Sequence, residues 1–202
     1  DSAIRAIPYD LLMDFVGRPT LLTKDQVKTA PYVVGMRDRH IVGSIANEVY
    51  ARNLGDSTPG ARYNIIAAGE ELRDPDDGDL LGYTGHFAGM GEVIQATGAV
   101  VPGAASIFDM KREETLAHLR VVENGREILQ GNKLFPVTGD VGPDFVPSAP
   151  SNEAILGQLI AVVDGVHVAG RYQVVAINRG KKHDLVPGNV LGVFYRGEFV
   201  RD

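Results

Sequence analysis

Short apolar runs separated by glycines make up most of the chain after its first thirty residues. Residues 32–34, 41–42 and 64–66 are examples. Short runs rich in Val, Ile and Tyr and bounded by turn-forming residues are typical of β-strands. The pattern therefore predicts a mainly β fold from residue 31 onward.

A regular alternation of apolar and polar residues covers positions 115–122. One face of the predicted strand carries apolar residues and the other carries polar ones: Ala117, Leu119 and Val121 against His118 and Arg120. A period of two residues is the signature of a strand with one buried face. Farther on, residues 159–163 and 166–169 flank Asp164 and Gly165. An Asp-Gly pair between two apolar runs predicts a hairpin.

The first thirty residues follow a helical spacing instead. Ile7, Leu11 and Phe15 recur at intervals of about one turn of a helix. Thr23 is followed three residues later by Gln26, which is a capping-box signature, and Pro31 would end the short helix that follows. We therefore predict a helical leader over residues 1–30.

A stretch rich in Pro and Gly divides the remainder of the chain. Three prolines, a glycine and two serines fall within 141–152, a composition typical of a stiff connection rather than a paired strand. This predicts a first β module at 31–140, a connection at 141–152 and a second β module at 153–202.

Two long segments resemble each other. Arg62-Tyr63-Asn64-Ile65-Ile66 is followed by Gly78-Asp79-Leu80-Leu81-Gly82-Tyr83, and Arg171-Tyr172-Gln173-Val174-Val175 is followed by Gly188-Asn189-Val190-Leu191-Gly192-Val193. Gly beside Asp or Asn accepts a positive φ, so each copy indicates a strand, a turn-bearing excursion and a second strand. The turn positions of this repeat are Gly78, Gly82, Gly188 and Gly192. Chance recurrence of such strings in a β protein is the alternative explanation.

The predicted fold class is therefore mainly β with a short helical N-terminal leader, comprising two small glycine-rich β barrels or sandwiches related by a pseudo-repeat. Hydrophobic residues at 44% and charged residues at 23% are typical of a globular protein. A net charge of -6 gives no basic footprint for nucleic acid. No run approaches the ~18 apolar residues of a membrane span. The chain begins without Met or a signal-peptide pattern, so we expect an excised fragment or a processed product.

Candidate chemistry is sparse. The chain has no Cys, so thiolate nucleophiles and cysteine-ligated zinc are excluded. The glycine-rich stretch 82–91 lacks the Lys of a phosphate loop and is interpreted as a strand with bulges or a tight bend. The acidic stretch 73–79 does not match the ligand spacing of a calcium loop and is interpreted as an acidic β-turn.

No catalytic or metal-binding residue is predicted, and no cofactor. The five histidines lack the spacing of a helical zinc site, and no serine stands in a Gly-x-Ser-x-Gly elbow. Residues distant in sequence could still converge into an acid–base pair. The uncharged run 100–108 is either core or a surface for a partner. Its apolar residues are the predicted partner-binding set: Val100, Val101, Ile107 and Phe108.

As a set, the motifs resemble the C-terminal region of the type IV pilus secretin-associated protein family, over nearly the whole chain. The motifs that carry the resemblance are Ala30-Pro31-Tyr32-Val33-Val34-Gly35, His40-Ile41-Val42-Gly43, Asp74-Pro75-Asp76-Asp77-Gly78-Asp79-Leu80-Leu81-Gly82-Tyr83, Val162-Val163-Asp164-Gly165-Val166, Gly170-Arg171-Tyr172-Gln173-Val174-Val175, Asn178-Arg179-Gly180, Leu185-Val186-Pro187-Gly188 and Val190-Leu191. That region of the family is similar to the C-terminal domain of a flagellar outer-ring assembly protein.

The resemblance implies a non-catalytic periplasmic adaptor that associates with the outer-membrane secretin ring of the type IV pilus and helps anchor or organise it. The family also carries an N-terminal LysM domain that binds peptidoglycan, and no residue of this sequence matches that domain. A cell-wall glycan-binding module or a peptidoglycan-processing enzyme is the alternative. The lack of Trp weakens the glycan-binding alternative, since aromatic platforms stack on sugars.

Overall fold

The computed structural model describes residue 18 and residues 20–37, 47–55, 57–95, 116–137, 147–151, 155–163, 170 and 173–194. Its elements, in chain order, are β1 (Leu21–Leu22), α1 (Lys24–Thr29), β2 (Tyr32–Met36), β3 (Glu48–Arg52), β4 (Arg62–Arg73), β5 (Leu80–Gln95), β6 (Leu116–Asn124), β7 (Lys133–Pro136), β8 (Leu159–Val162), β9 (Val175–Ile177) and a 3-10 helix (Lys181–His183). The protein is mainly β, as predicted, and both sheets that the structure describes are antiparallel.

Helix α1 begins where the sequence indicates. The Thr23 hydroxyl accepts a hydrogen bond from Gln26 N, and Gln26 Oε1 accepts one from Thr23 N, so the predicted capping box is formed. Ala30 N still donates to Gln26 O, and Pro31 follows immediately. The helical leader as a whole is not confirmed, because residues 1–17 lie outside the described ranges.

Six strands pair in a closed cycle. Strand β2 pairs with β3, β3 with β6, β6 with β5, β5 with β4, β4 with β7, and β7 with β2 again. Because every strand of the cycle has a neighbour on each side, the cycle leaves little free edge for uncontrolled association. The buried side chains share one continuous core: Val33, Val49, Ala51, Leu54, Ile65, Ala88, Val93, Ala117, Leu119, Val121, Ile128 and Leu134.

The β4–β5 hairpin is longer than the cycle that it helps to form. Strand β7 pairs with β4 only between Tyr63 and Ile66, and β6 pairs with β5 only from Gly89 onward. The outer part of the hairpin, including its turn at 74–79, therefore extends past the cycle. Strand β1 adds to β5 in this outer part, with Leu21 opposite Thr84 and Leu22 opposite Tyr83.

Gly82 allows β1 to approach β5 closely. Its φ is 156°, and a Cβ at this position would lie 2.6 Å from Leu22 O. The turn residue predicted from the repeat thus lies inside β5, where a side chain would collide with the backbone of β1.

Replacement of Gly82 by alanine is expected to lower the free energy of unfolding by about 1–3 kcal/mol, because the backbone of β1 has to move away from the new methyl group. Urea unfolding of the two proteins measures the difference. Gly35→Ala is the matched control, since Gly35 is also in a strand and a Cβ there meets no atom within 4 Å. Equal unfolding free energies for the two variants would contradict the close approach as the cause.

The described C-terminal part contains a second, two-stranded sheet. Strand β8 pairs with β9, with Leu159 opposite Ile177 and Val162 opposite Val175. The hairpin predicted at Asp164 and Gly165 lies outside the described residues. We call β8, β9 and the residues between 155 and 180 that the structure describes the C-terminal ribbon.

The pseudo-repeat is not confirmed. In the first copy, the two segments form paired strands, β4 and β5. In the second copy, β9 pairs with β8 upstream, and residues 188–193 form only an isolated bridge, between Asn189 and Ser148. Equal spacing in the sequence has therefore not produced equal pairing in the described residues.

Candidate functional site

The acidic turn at the end of the β4–β5 hairpin is closed by its own backbone. Asp74 N donates to Asp79 O and Gly78 N donates to Asp74 O, each at 2.8 Å. Asp74 Oδ1 also accepts a hydrogen bond from Asp76 N at 3.0 Å. Gly78 has a φ of 81°, a conformation that glycine adopts without strain. The turn predicted from the sequence thus holds its carboxylates in fixed positions.

Asn178, just after β9, lies against this turn and is only 4% exposed. Its Nδ2 donates to Asp74 Oδ1 at 2.8 Å and to Asp76 Oδ2 at 3.2 Å. Its Oδ1 accepts from Gln158 N at 2.7 Å. Both ends of a buried amide are therefore satisfied, which removes the penalty of burying it.

Arg179 adds a charged contact to the same turn. Its Nη2 lies 2.7 Å from Asp76 Oδ2, and its Nε donates to Leu156 O at 2.8 Å. Gln158 Nε2 donates to Asp76 Oδ1 at 3.1 Å. We call Asp74, Asp76, Gln158, Asn178 and Arg179 the clasp, because together they join the hairpin turn to the C-terminal ribbon.

The clasp favours the ionised form of Asp74. The hydrogen bond from Asn178, followed by that from Asp76 N and the attraction of Arg179, holds the pKa of Asp74 below its ordinary value of 3.8. A lowered carboxyl pKa means that the contribution to stability is present above the ordinary value and is lost as the pH falls through the lowered one. The contribution of ionised Asp74 to the clasp is therefore present at neutral pH.

A second polar cluster lies on the outside of the strand cycle. Glu48 on β3 pairs with Arg37 beyond the end of β2, and its Oε2 lies 2.9 Å from His118 Nε2 on β6. The hydrogen bond from Arg37 is the largest cause of the lowered pKa of Glu48. The His118 ring also lies 5.0 Å from that of Tyr50. This is a carboxylate–imidazole pair of the kind that the sequence left open, and Arg37 already engages its carboxylate.

The structure describes some of the residues that the sequence singled out, and others lie outside the described ranges. Val100, Val101, Ile107 and Phe108, the predicted partner-binding set, lie outside the described residues. Gly78 and Gly188 have positive φ values, 81° and 96°, and Gly192 does not. Within the described part of the chain, no group of three or more His, Asp or Glu side chains is arranged to hold a metal ion.

Sequence reasoning missed the clasp. The acidic turn was recognised, but its partners Gln158, Asn178 and Arg179 are separated from it by 82 to 104 positions. The usable signal was charge, because Arg179 is a basic residue two positions after β9 in an acidic chain.

The chain was also compared with known proteins. Neither the protein-family models nor the curated proteins match it. No helix within the described ranges has the length and hydropathy that a membrane crossing requires.

Proposed function

We propose that this chain is a non-catalytic periplasmic structural adaptor, which associates with the outer-membrane secretin ring of the type IV pilus and helps anchor or organise it. The observation that carries the proposal is the clasp. Its acidic turn and its Asn178-Arg179 pair belong to two of the motifs through which the chain resembles the type IV pilus secretin-associated family. Two of these motifs, about a hundred positions apart in sequence, therefore meet in one structural junction, and this supports the proposal.

The geometry suits an adaptor. An adaptor has to keep its contact surfaces in a constant arrangement, so that each copy around a ring meets its neighbours in the same way. The closed strand cycle provides a stable body, and the clasp fixes the C-terminal ribbon to the hairpin that extends from that body. The proposal includes two β modules, at 31–140 and at 153–202, which the clasp joins.

Partner contacts form a separate part of the proposal. The apolar run 100–108, with Val100, Val101, Ile107 and Phe108, stays a predicted contact with the secretin. Attachment to peptidoglycan would need the LysM domain, to which no residue of this chain corresponds.

The test is co-sedimentation of the purified chain with purified secretin rings. We expect the wild-type chain to sediment with the ring and Arg179→Asp to bind more weakly, because the new carboxylate faces Asp76 and breaks the clasp. Arg179→Lys is the matched control, since it keeps a positive charge beside Asp76 and should retain more of the binding.

A parallel incubation with peptidoglycan separates the alternatives. A chain that does not bind the ring and releases soluble glycan fragments would be a cell-wall enzyme. The pair His118 and Glu48 would then be the first to mutate. Retention on intact peptidoglycan without cleavage would indicate a glycan-binding module. Either result, with no ring binding, contradicts the adaptor proposal.

A further inference from the structure

The chain exposes an uncharged apolar segment after the 3-10 helix. From 185 to 194 there is no charged residue. Five large apolar side chains are exposed there: Val186 at 56%, Val190 at 44%, Leu191 at 41%, Val193 at 74% and Phe194 at 91%. Single exposed apolar residues are common, but five within nine residues of the sequence favour an interaction surface. We call residues 186–194 the apolar segment.

The base of the apolar segment is held in place. Asn189 N donates to Val186 O at 3.1 Å, and Asn189 Oδ1 accepts from Val186 N at 2.9 Å, so the turn is closed from both sides. The same side chain donates from Nδ2 to Ser148 Oγ at 3.1 Å, and Val190 N donates to Ser148 O at 2.9 Å. A surface that is already ordered loses less conformational entropy when a partner binds.

The ring of Phe194 lies next to Gly192. A Cβ at Gly192 would lie 3.0 Å from Phe194 Cε2, so the ring lies over this glycine while most of its surface faces solvent. A large aromatic side chain that is presented in this way is the usual anchor of a protein interface. Gly192, noted in the sequence as part of the repeat, provides the space beside the ring.

Two lysines and one aspartate, Asp184, precede the apolar segment, so the charge next to it is net positive although the chain as a whole carries -6. Lys181 and Lys182 are exposed on the 3-10 helix, and Leu185 N donates to Gly180 O at 3.4 Å, which brings the start of the segment back to the base of that helix. Apolar residues with a charged rim are the normal arrangement of a protein interface. The complementary surface has an apolar pocket with carboxylates at its rim.

We propose that the apolar segment docks into an apolar pocket on a protein partner, with Phe194 as the anchor and with Lys181 and Lys182 facing carboxylates at the rim of the pocket. The inference rests on the proposed function, in which that protein is the secretin ring. A protein fits better than an anionic lipid surface. Lipid recognition of this type uses clusters of about four to eight basic residues, whereas two lysines followed by Asp184 stand here in an acidic chain.

The experiment measures binding of the chain to purified secretin rings by surface plasmon resonance at two salt concentrations. Val193→Ser with Phe194→Ser is expected to weaken binding at least tenfold, because the anchor is lost. Lys181→Glu with Lys182→Glu is expected to weaken binding severalfold and to reduce its salt dependence. Val122→Ser is the matched control, since it makes the same chemical change at an exposed position on β6, and its binding should equal that of the wild type.

A lipid surface or a second copy of the chain, in place of a protein partner, would give different binding results. Binding of the wild-type chain to phosphatidylglycerol vesicles that is lost in the Val193→Ser, Phe194→Ser variant would replace the protein partner by a lipid. Self-association in sedimentation velocity that the same variant abolishes would identify a second copy as the occupant. Unchanged ring binding by this variant contradicts the inference alone, whereas a wild-type chain that does not bind the ring contradicts the proposed function as well.

Discussion

Truncation of Leu119 to alanine is expected to lower the free energy of unfolding by about 2–5 kcal/mol. Leu119 is fully buried, and on β6 it lies opposite Val49 of β3 and Val93 of β5. It therefore packs at the point where β6 closes the strand cycle. Two effects lower the free energy of unfolding. The removed methyl groups are no longer buried, and the strands around the cavity relax only partially to fill it. Urea unfolding followed by circular dichroism measures it.

Val122→Ala on the same strand is the control. Val122 is 39% exposed, so the same kind of truncation there is expected to change the unfolding free energy by about 0.5 kcal/mol or less. If Leu119→Ala were no more harmful than Val122→Ala, the side chain of Leu119 would not be part of a closed core.

Replacement of Asn178 by aspartate is expected to detach the C-terminal ribbon at neutral pH. The change is nearly isosteric, but it removes both Nδ2 hydrogen bonds and places a third carboxylate against Asp74 and Asp76. Loss of the partners of a buried amide costs about 1–3 kcal/mol, and like charges add to this. Hydrogen exchange should show less protection of Val163 N and Asn178 N, which are bonded within the ribbon, while amides of the strand cycle keep theirs.

Two further variants isolate the cause. Gln158→Glu also adds a carboxylate near Asp76, but at an exposed position, so its effect should be smaller. Asp74→Asn combined with Asn178→Asp restores a donor opposite the new carboxylate, and ribbon protection should partly return. Mild acidification, to a pH still above the ordinary pKa of 3.8 for Asp74, should also partly rescue Asn178→Asp, because one of the three crowded carboxylates then takes up a proton and the repulsion falls. If neither Asp74→Asn nor acidification restores the protection, the loss of protection is caused by altered packing and not by the broken clasp.

Local patterns in the sequence predicted much of the strand structure. The alternation at 115–122 is confirmed, because Ala117, Leu119 and Val121 of β6 are buried. The interpretation of 82–91 as a strand with bulges or a tight bend agrees with β5, which runs through these residues with shifts of register. Both predictions depended on properties of neighbouring residues, which a sequence displays directly.

Long-range pairing was not predictable in the same way. Nothing in the spacing of β4 indicates that its second neighbour is β7, since both strands have ordinary apolar runs and the partner is chosen by the packing of the whole core. The repeat shows the same limitation. Matching strings at Tyr63 and Tyr172 led to a prediction of equivalent units, yet β9 pairs upstream because its partner is decided by tertiary contacts. The clasp was missed for the same reason.

The closed cycle also has a consequence for the order of folding. It includes strands from residue 32 to residue 136, and β2 cannot pair with β7 until nearly all of that length is present. Pairings between distant residues pay a loop-closure entropy before they gain contact energy, so folds of this kind form slowly. The local β4–β5 hairpin is the natural first structure, and it already holds the acidic turn in position. We therefore expect the C-terminal ribbon to pack against an acidic turn that is already formed. The ribbon would then be the last part of the chain to fold.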